Sequence, residues 1–392
     1  MLQRPTVKGD ISLTNPAVRA WLYQIIIVIA ILFIVIYLLH NAVTNLDRSG
    51  IRSGFAFLHD NAGFGIIQHL IDYQEGDTYG RVFFIGLLNT LLVSVICIIF
   101  ASLLGFVVGL SRLSDNWLLR KLSTIYIETF RNIPPLLQIF FWYFAVLRNL
   151  PGPRQAFSAM DAFFLSNRGL YIPAPGPGPG ALPAALALII VLVLTIVISR
   201  YNNRYHALTG QHRRTWPIPL VVLFILLGLS HLAFGHAIHW DFPALKGFNY
   251  RGGIVLIPEL AALALALSVY TSSFIAEIIR SGIQSVSHGQ HEAALSLGIP
   301  KPVTLRKVIL PQALRVIIPP LTSQYLNVVK NSSLAAAIGY PDMVSLFAGT
   351  VLNQTGQAIE TIAMTMSVYL IISLLISLLM NIYNQKIALI ER

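Results

Sequence analysis

Long uninterrupted runs of apolar residues restrict this chain more than any other feature. A helix rises about 1.5 Å per residue, so about 20 such residues cross the roughly 30 Å hydrocarbon layer of a bilayer. Inside lipid every backbone N–H and C=O must be bonded within its own segment, which leaves helices as the form such runs can take. Eight runs are read, at residues 22–40, 82–111, 124–147, 181–199, 217–235, 254–279, 310–329 and 361–383. Charged residues make up only 11% of the chain, against about 25% in an ordinary soluble domain. The expected fold class is all-α: a polytopic membrane helix bundle of about eight transmembrane helices. Arg131, Pro134 and Pro135 interrupt the third run, and Pro319 and Pro320 the seventh.

The net charge of +11 invites a nucleic-acid reading, which its distribution removes. Lys and Arg collect on the cytoplasmic side of membrane proteins. With the amino terminus inside, Arg112, Arg120, Lys121, Arg280, Arg306 and Lys307 fall on that side, while Asp60, Asp72, Glu75 and Asp77 gather in the first external loop. The charge is a topology signal, and no nucleic-acid partner is expected. Cys97 is the single cysteine and falls inside the second run, so neither an intrachain disulfide nor a cysteine metal cluster is available. The first run follows about twenty polar residues without an Ala-x-Ala-like exit, which predicts a retained anchor rather than a cleaved signal peptide.

Glu292–Pro311 reads EAALSLGIPKPVTLRKVILP, a polar segment between two apolar ones. Ala293 and Ala294 are expected to give a small-residue helix face that a partner can approach closely. Gly298 supplies the backbone freedom that ends such a helix, and Pro300 and Pro302 are expected to delay its resumption. The result is a docking helix on a sharp turn. The spacing (E-A-A, three residues, Gly, nine residues, Ile, one residue, Leu-Pro) resembles the EAA loop of bacterial ABC importer membrane subunits, with Val308 in place of Ile. Three further stretches, Tyr270–Val286, Leu310–Leu334 and Glu128–Phe141 (ETFRNIPPLLQIFF), look like the polar amino-acid (histidine/glutamine-type) branch. The likeness covers roughly 81–150 and 254–390. The enlarged layout resembles the Q-type permease of general L-amino acid (Aap/Bzt) systems.

This resemblance implies a type I ABC importer-like core of five spans, with three extra spans added. It divides the chain into 1–80 (tail, extra helix and external loop), 81–150 (first part of the core), 151–253 (Pro/Gly linker and inserted helix pair) and 254–392 (core with the coupling loop). Glu292, Ala293, Ala294, Gly298, Val308, Leu310 and Pro311 would couple the chain to ABC ATPase subunits. No G-x-x-x-x-G-K-[ST] occurs, so ATP and Mg belong to the partner ATPase and this chain has no cofactor and no catalytic residue of its own. The other implied partners are a second permease subunit, paralogous or identical, a periplasmic amino-acid-binding protein, the lipid bilayer and the L-amino acid itself. Location would be the bacterial inner membrane, with both termini cytoplasmic. The basic loop at 200–216 is read as a topology anchor on that side.

Ionisable residues inside spans are costly and usually face the bundle interior. Glu128 and Arg131, and Glu277 and Arg280, are each spaced i, i+3 and so share a helix face. Either they bind the two charges of an amino acid or they are structural pairs. Asn331, Ser332 and Ser333 either line the path or cap a helix end. The Pro134–Pro135 and Pro319–Pro320 pairs mark broken transport helices or kinks. Metal binding is not expected: His291 lacks the second histidine of a zinc helix, and His288 and His291 have no third ligand nearby. An ion-gradient-driven secondary amino-acid transporter is the alternative, but it would call for inverted repeats, and none is read.

Overall fold

The computed structural model describes residues 16–48, 54–210, 215 and 217–387. In chain order these form α1 (Pro16–Arg48), α2 (Tyr79–Arg112), α3 (Trp117–Asn132), α4 (Pro135–Phe140), four short strands, α5 (Ala181–Thr209), α6 (Pro217–Phe234), four more strands, α7 (Pro258–Gln284), α8 (His288–Ser296), α9 (Lys301–Thr304), α10 (Leu310–Asn331), α11 (Leu352–Thr355) and α12 (Ala358–Ile387). The strands are β1 (Phe157–Ala159), β2 (Phe163–Ser166), β3 (Gly169–Ile172), β4 (Ala174–Pro177), β5 (Ile238–Asp241), β6 (Ala244–Lys246), β7 (Asn249–Arg251) and β8 (Ile254–Leu256). The centre of the expected basic loop, including Arg213 and Arg214, lies outside the described residues.

Among the described residues six helices are long and apolar enough to span a membrane: α1, α2, α5, α6, α7 and α12. The third and seventh runs are not among them. The third divides at Ile133 and Pro134 into α3 and α4, with Pro135 opening α4. Carbonyls freed at this break are bonded from within: Gln138 Nε2 donates to those of Phe130 and Ile133, both at 3.0 Å. The seventh run differs from its reading, because α10 continues unbroken through Pro319 and Pro320. Each proline removes one ladder bond, and both lie on the exposed side.

The chain divides into two compact units, Met1–Leu91 with Pro341–Leu375, and Leu92–Tyr340 with Ile376–Arg392. In the first unit, none of the apolar stretch Arg19–Leu38 of α1 is buried, as suits a helix apolar on every side and bathed in lipid. The polar loop before α2 is folded on itself, with Ala62 N–H donating to Asp77 O at 2.8 Å and Tyr79 N–H to Asp60 O at 3.0 Å. Buried polar groups on the start of α2 are used to hold backbone. Asn89 Nδ2 donates to the carbonyls of Gln68 (2.8 Å) and Pro341 (2.9 Å), and Thr90 Oγ1 accepts from Met343 N–H (3.0 Å). Asp342, wholly buried, accepts from Ser345 N–H at 2.8 Å and from the Tyr369 hydroxyl at 3.1 Å.

The second unit is built around α7, which packs against α3, α4 and α10. Leu263, Ala266 and Leu267 of α7 are wholly buried with Val93, Cys97 and Val328. The later half of α2 reaches α7 through glycines. A Cβ at Gly105 would stand 2.7 Å from Ile275 Cβ, and one at Gly109 2.8 Å from the Ala276 carbonyl. Such a small-xxx-small pair lets two backbones approach closely where no hydrophobic force drives helices together.

The all-α expectation is corrected by the strands. β1, β2, β3 and β8 form an antiparallel sheet, and β4–β5 and β6–β7 form two ribbons. The Pro/Gly run at 172–183, within the stretch read as a linker, contains β4. Across 173–179 prolines occupy every second position (173, 175, 177 and 179). Successive residues of a strand direct their backbone groups to opposite edges, so the remaining donors all face β5. Gly178 and Gly180 continue the pattern, donating to Ala237 O (3.0 Å) and His236 O (3.1 Å).

Candidate coupling and transport site

The segment after α7 is a compact helix–turn–helix. Gly298 has φ +66°, and the turn follows a Schellman pattern: Ile299 N–H donates to Ala294 O at 3.0 Å and Gly298 N–H to Leu295 O at 2.9 Å. Helix resumes sooner than expected, at Lys301, because Pro302 falls in the first turn of α9, where its missing N–H is not needed. A π-helical stretch, Leu305–Ile309, then leads into α10, with Pro311 in its first turn. Gln312 Nε2 ties the two arms, donating to Val308 O at 3.0 Å and Gln290 Oε1 at 3.4 Å.

The displayed face of α8 differs from the expected one. Ala294 is buried at 3% exposure, whereas Ala293 remains on the surface. The large apolar groups left outside are Leu295 (60% exposed) and Leu297 (77%). Glu292 is exposed and its Oε1 lies 3.0 Å from His288 Nδ1. Val308 and Leu310 are half-buried beside the wholly buried Ile309. The segment therefore presents a short rigid helix with one carboxylate and two leucines, a form suited to seating in a groove of another protein.

Above it, Glu277 is held by two arginines. Arg280 Nε donates to both carboxylate oxygens at 3.1 Å, and Arg112, from the end of α2, donates to Oε2. Arg280 also donates to Gln284. The expected Glu277–Arg280 pair is present. The partner that sequence reading missed is Arg112, 165 residues away, with no local signal to reveal it. Glu128 and Arg131 do not pair: Glu128 is exposed, and the Arg131 guanidinium lies 5.2 Å from the centroid of the Phe274 ring. The electron-rich ring face of α7 holds the cation that i, i+3 spacing had assigned to Glu128.

Asn331 ends α10, and Ser332 and Ser333 open the 3-10 turn that follows it. The Ser332 hydroxyl donates to Val329 O at 2.7 Å and that of Ser333 to Lys330 O at 2.6 Å, so both bond carbonyls of the last turn of α10. Polar groups missed in the sequence line α7, where Ser268, Thr271, Ser272 and Ser273 are buried. Tyr126 of α3 meets this stripe with its hydroxyl 2.7 Å from Ser272 Oγ. At the other end of α7 the Tyr143 hydroxyl donates to Glu259 Oε1 at 2.8 Å. No group of metal-ligating side chains occurs among the described residues.

Fold and site together define a polytopic helical membrane protein with a short exposed helix, α8, after its fifth long apolar helix. Residues 213–389 match the family described as "Binding-protein-dependent transport system inner membrane component". The chain is 74% identical over 390 residues to YhdX of Escherichia coli (strain K12), described as an amino-acid ABC transporter permease protein, covering 100% of this chain and 99% of that one. It is 48% identical over 385 residues to the general L-amino acid transport system permease protein AapQ of Rhizobium johnstonii, covering 97% and 95%. It is 41% identical over 405 residues to the glutamate/glutamine/aspartate/asparagine transport system permease protein BztB of Rhodobacter capsulatus, covering 95% of each. The chain belongs to the amino-acid ABC transporter permease family, multi-pass proteins of the bacterial inner membrane.

Proposed function

We propose that this chain forms half of a pore that carries L-amino acids inward, worked by ABC ATPase subunits that seat α8. The observation that carries the reading is the exposed α8, with Glu292, Leu295 and Leu297 outermost, tied through Gly298 and Gln312 to the head of α10. Because α8 and α10 are locked together, a push on α8 moves α10 as a rigid body. The α3–α4 segment and α10 complete the six apolar helices to eight spans, five of them core and three added. Both termini then lie in the cytoplasm with α8. A second permease subunit, paralogous or identical, supplies the other half of the pore, and a periplasmic amino-acid-binding protein delivers the substrate. ATP and Mg are held by the ATPase.

Glu277, with Arg112 and Arg280, fastens α7 to α2 just before α8 and acts as a structural lock rather than a substrate site. Tyr126 and the serines of α7 are the better candidates to line the path. The test is uptake of a labelled amino-acid panel into proteoliposomes containing all subunits. Gly298→Asp puts a side chain on a left-handed backbone, and an expected drop of at least about tenfold in uptake, with the protein still inserted, corresponds to the roughly 1–2 kcal/mol cost of that conformation. Normal uptake and normal binding-protein-stimulated ATP hydrolysis in this variant would remove α8 from the coupling role.

A further inference from the structure

The strands flanking α5 and α6 form the end of the second unit opposite α8. α7 runs from β8 to α8 through 27 residues, about 40 Å at 1.5 Å per residue, which places the strands on the outer side when α8 is inside. Here an open cavity of about 280 Å³ is lined by Gly152, Pro153, Arg154, Gln155, Arg168 and Phe248. Arg154 is aimed by the Phe248 ring, its guanidinium carbon 5.0 Å from the ring centroid. Arg168 sits in the two-residue turn between β2 and β3, where its N–H donates to Ser166 Oγ at 3.3 Å. Both arginines are exposed, and neither forms an ion pair among the described residues. Phe248 is 75% exposed at the β6–β7 turn.

Charge around the cavity is one-sided. Residues 148–180 and 235–256 contain five basic groups (Arg148, Arg154, Arg168, Lys246 and Arg251) against Asp161 and Asp241, and Asp241 is occupied by Gly253 N–H at 3.0 Å. The two arginines lining this open cavity carry planar, charged donors of the kind that pair with a carboxylate. A free amino acid would also need an acceptor for its ammonium group, and no acidic residue lines the cavity. Arginine and aromatic groups exposed together are the composition of protein-interface anchors.

We infer that Arg154, Arg168 and Phe248 form the docking pocket for an acidic side chain on the surface of the soluble binding protein, an assignment that rests on the transport reading above. The arginines attract and orient the carboxylate, and Phe248 covers its aliphatic stem.

The test uses the complete transporter in nanodiscs and measures the concentration of binding protein that half-saturates ATPase stimulation. For Arg154→Glu with Arg168→Glu that concentration is expected to rise at least about tenfold, while Phe248→Ala raises it about threefold. The wild-type value should climb with salt more steeply than that of the double variant. Normal recovery of the intact complex by size exclusion, and partial restoration by Arg154→Lys with Arg168→Lys, guard against misfolding. An unchanged half-saturating concentration overturns the docking pocket. So does a shift confined to the KM for amino acid at saturating binding protein, since the carboxylate would then be the substrate's own. Absence of any stimulation in the wild type would sink the transport reading itself, a separate outcome.

Discussion

α7 and the α5–α6 pair are both apolar helices of one unit, and they are used in opposite ways. In α7, 61% of the most apolar stretch is buried, against 11% in α5 and in α6. Yet α7 holds the buried Ser268, Thr271, Ser272 and Ser273, together with Glu277 and Arg280, whereas α5 and α6 expose Leu192, Val193, Val221 and Phe224. In a bilayer the solvent is apolar, so greasy surfaces turn outward and polar groups mark the packed interior. The least hydrophobic of the six long apolar helices is therefore the centre of the second unit.

The contrast can be broken most forcefully with one substitution made in each setting. Gly109→Val drives a side chain into the Ala276 carbonyl of α7, with Cβ at 2.8 Å, whereas nothing lies within 4 Å of a Cβ at Gly228 in α6. Gly109→Val is expected to lose about 3 kcal/mol and most of the recoverable protein, and Gly228→Val almost nothing, as read by thermal melting in detergent. Equal losses would show that α6 is packed as α7 is. Next in size, a double-mutant cycle of Arg112→Ala and Glu277→Gln should give a coupling of about 1–2 kcal/mol, since the two side chains are only 19% and 26% exposed. A coupling near zero would make the lock between α2 and α7 incidental. Smallest, Tyr126→Phe removes the bond to Ser272 and should cost about 0.6 kcal/mol of stability. A disproportionate fall in uptake in that variant would sharpen the contrast, marking the polar face of α7 as the route of transport.

What could be read beforehand follows the range of the interactions concerned. The α8 turn was legible because capping is local: Gly298 stands within four residues of every group it satisfies. Its outward face was not, because the inward placement of Ala294 is set by packing within the folded segment. The third run looked doubtful for the reason that makes it interesting. Arg131 and the proline pair lower its hydropathy, and the chain answers them with Phe274 on α7 and Gln138 on α4. The Glu277–Arg280 pair was visible in its spacing, but Arg112 required the tertiary fold. The period of two in the Pro/Gly run was present in the letters, but the stretch was read as a linker, because its pairing partner lies beyond the inserted helices.

That ribbon has a consequence for how the molecule behaves among its neighbours. With prolines at 173, 175, 177 and 179, the margin of β4 turned away from β5 has no donor to offer an incoming strand. Exposed strand margins are templates for chain-to-chain sticking, and this one is sealed by composition alone, without a helix or a charged side chain to cover it. The ribbon is thus closed to an added strand along its β4 side, which leaves the β5 margin as the side a neighbouring copy could extend.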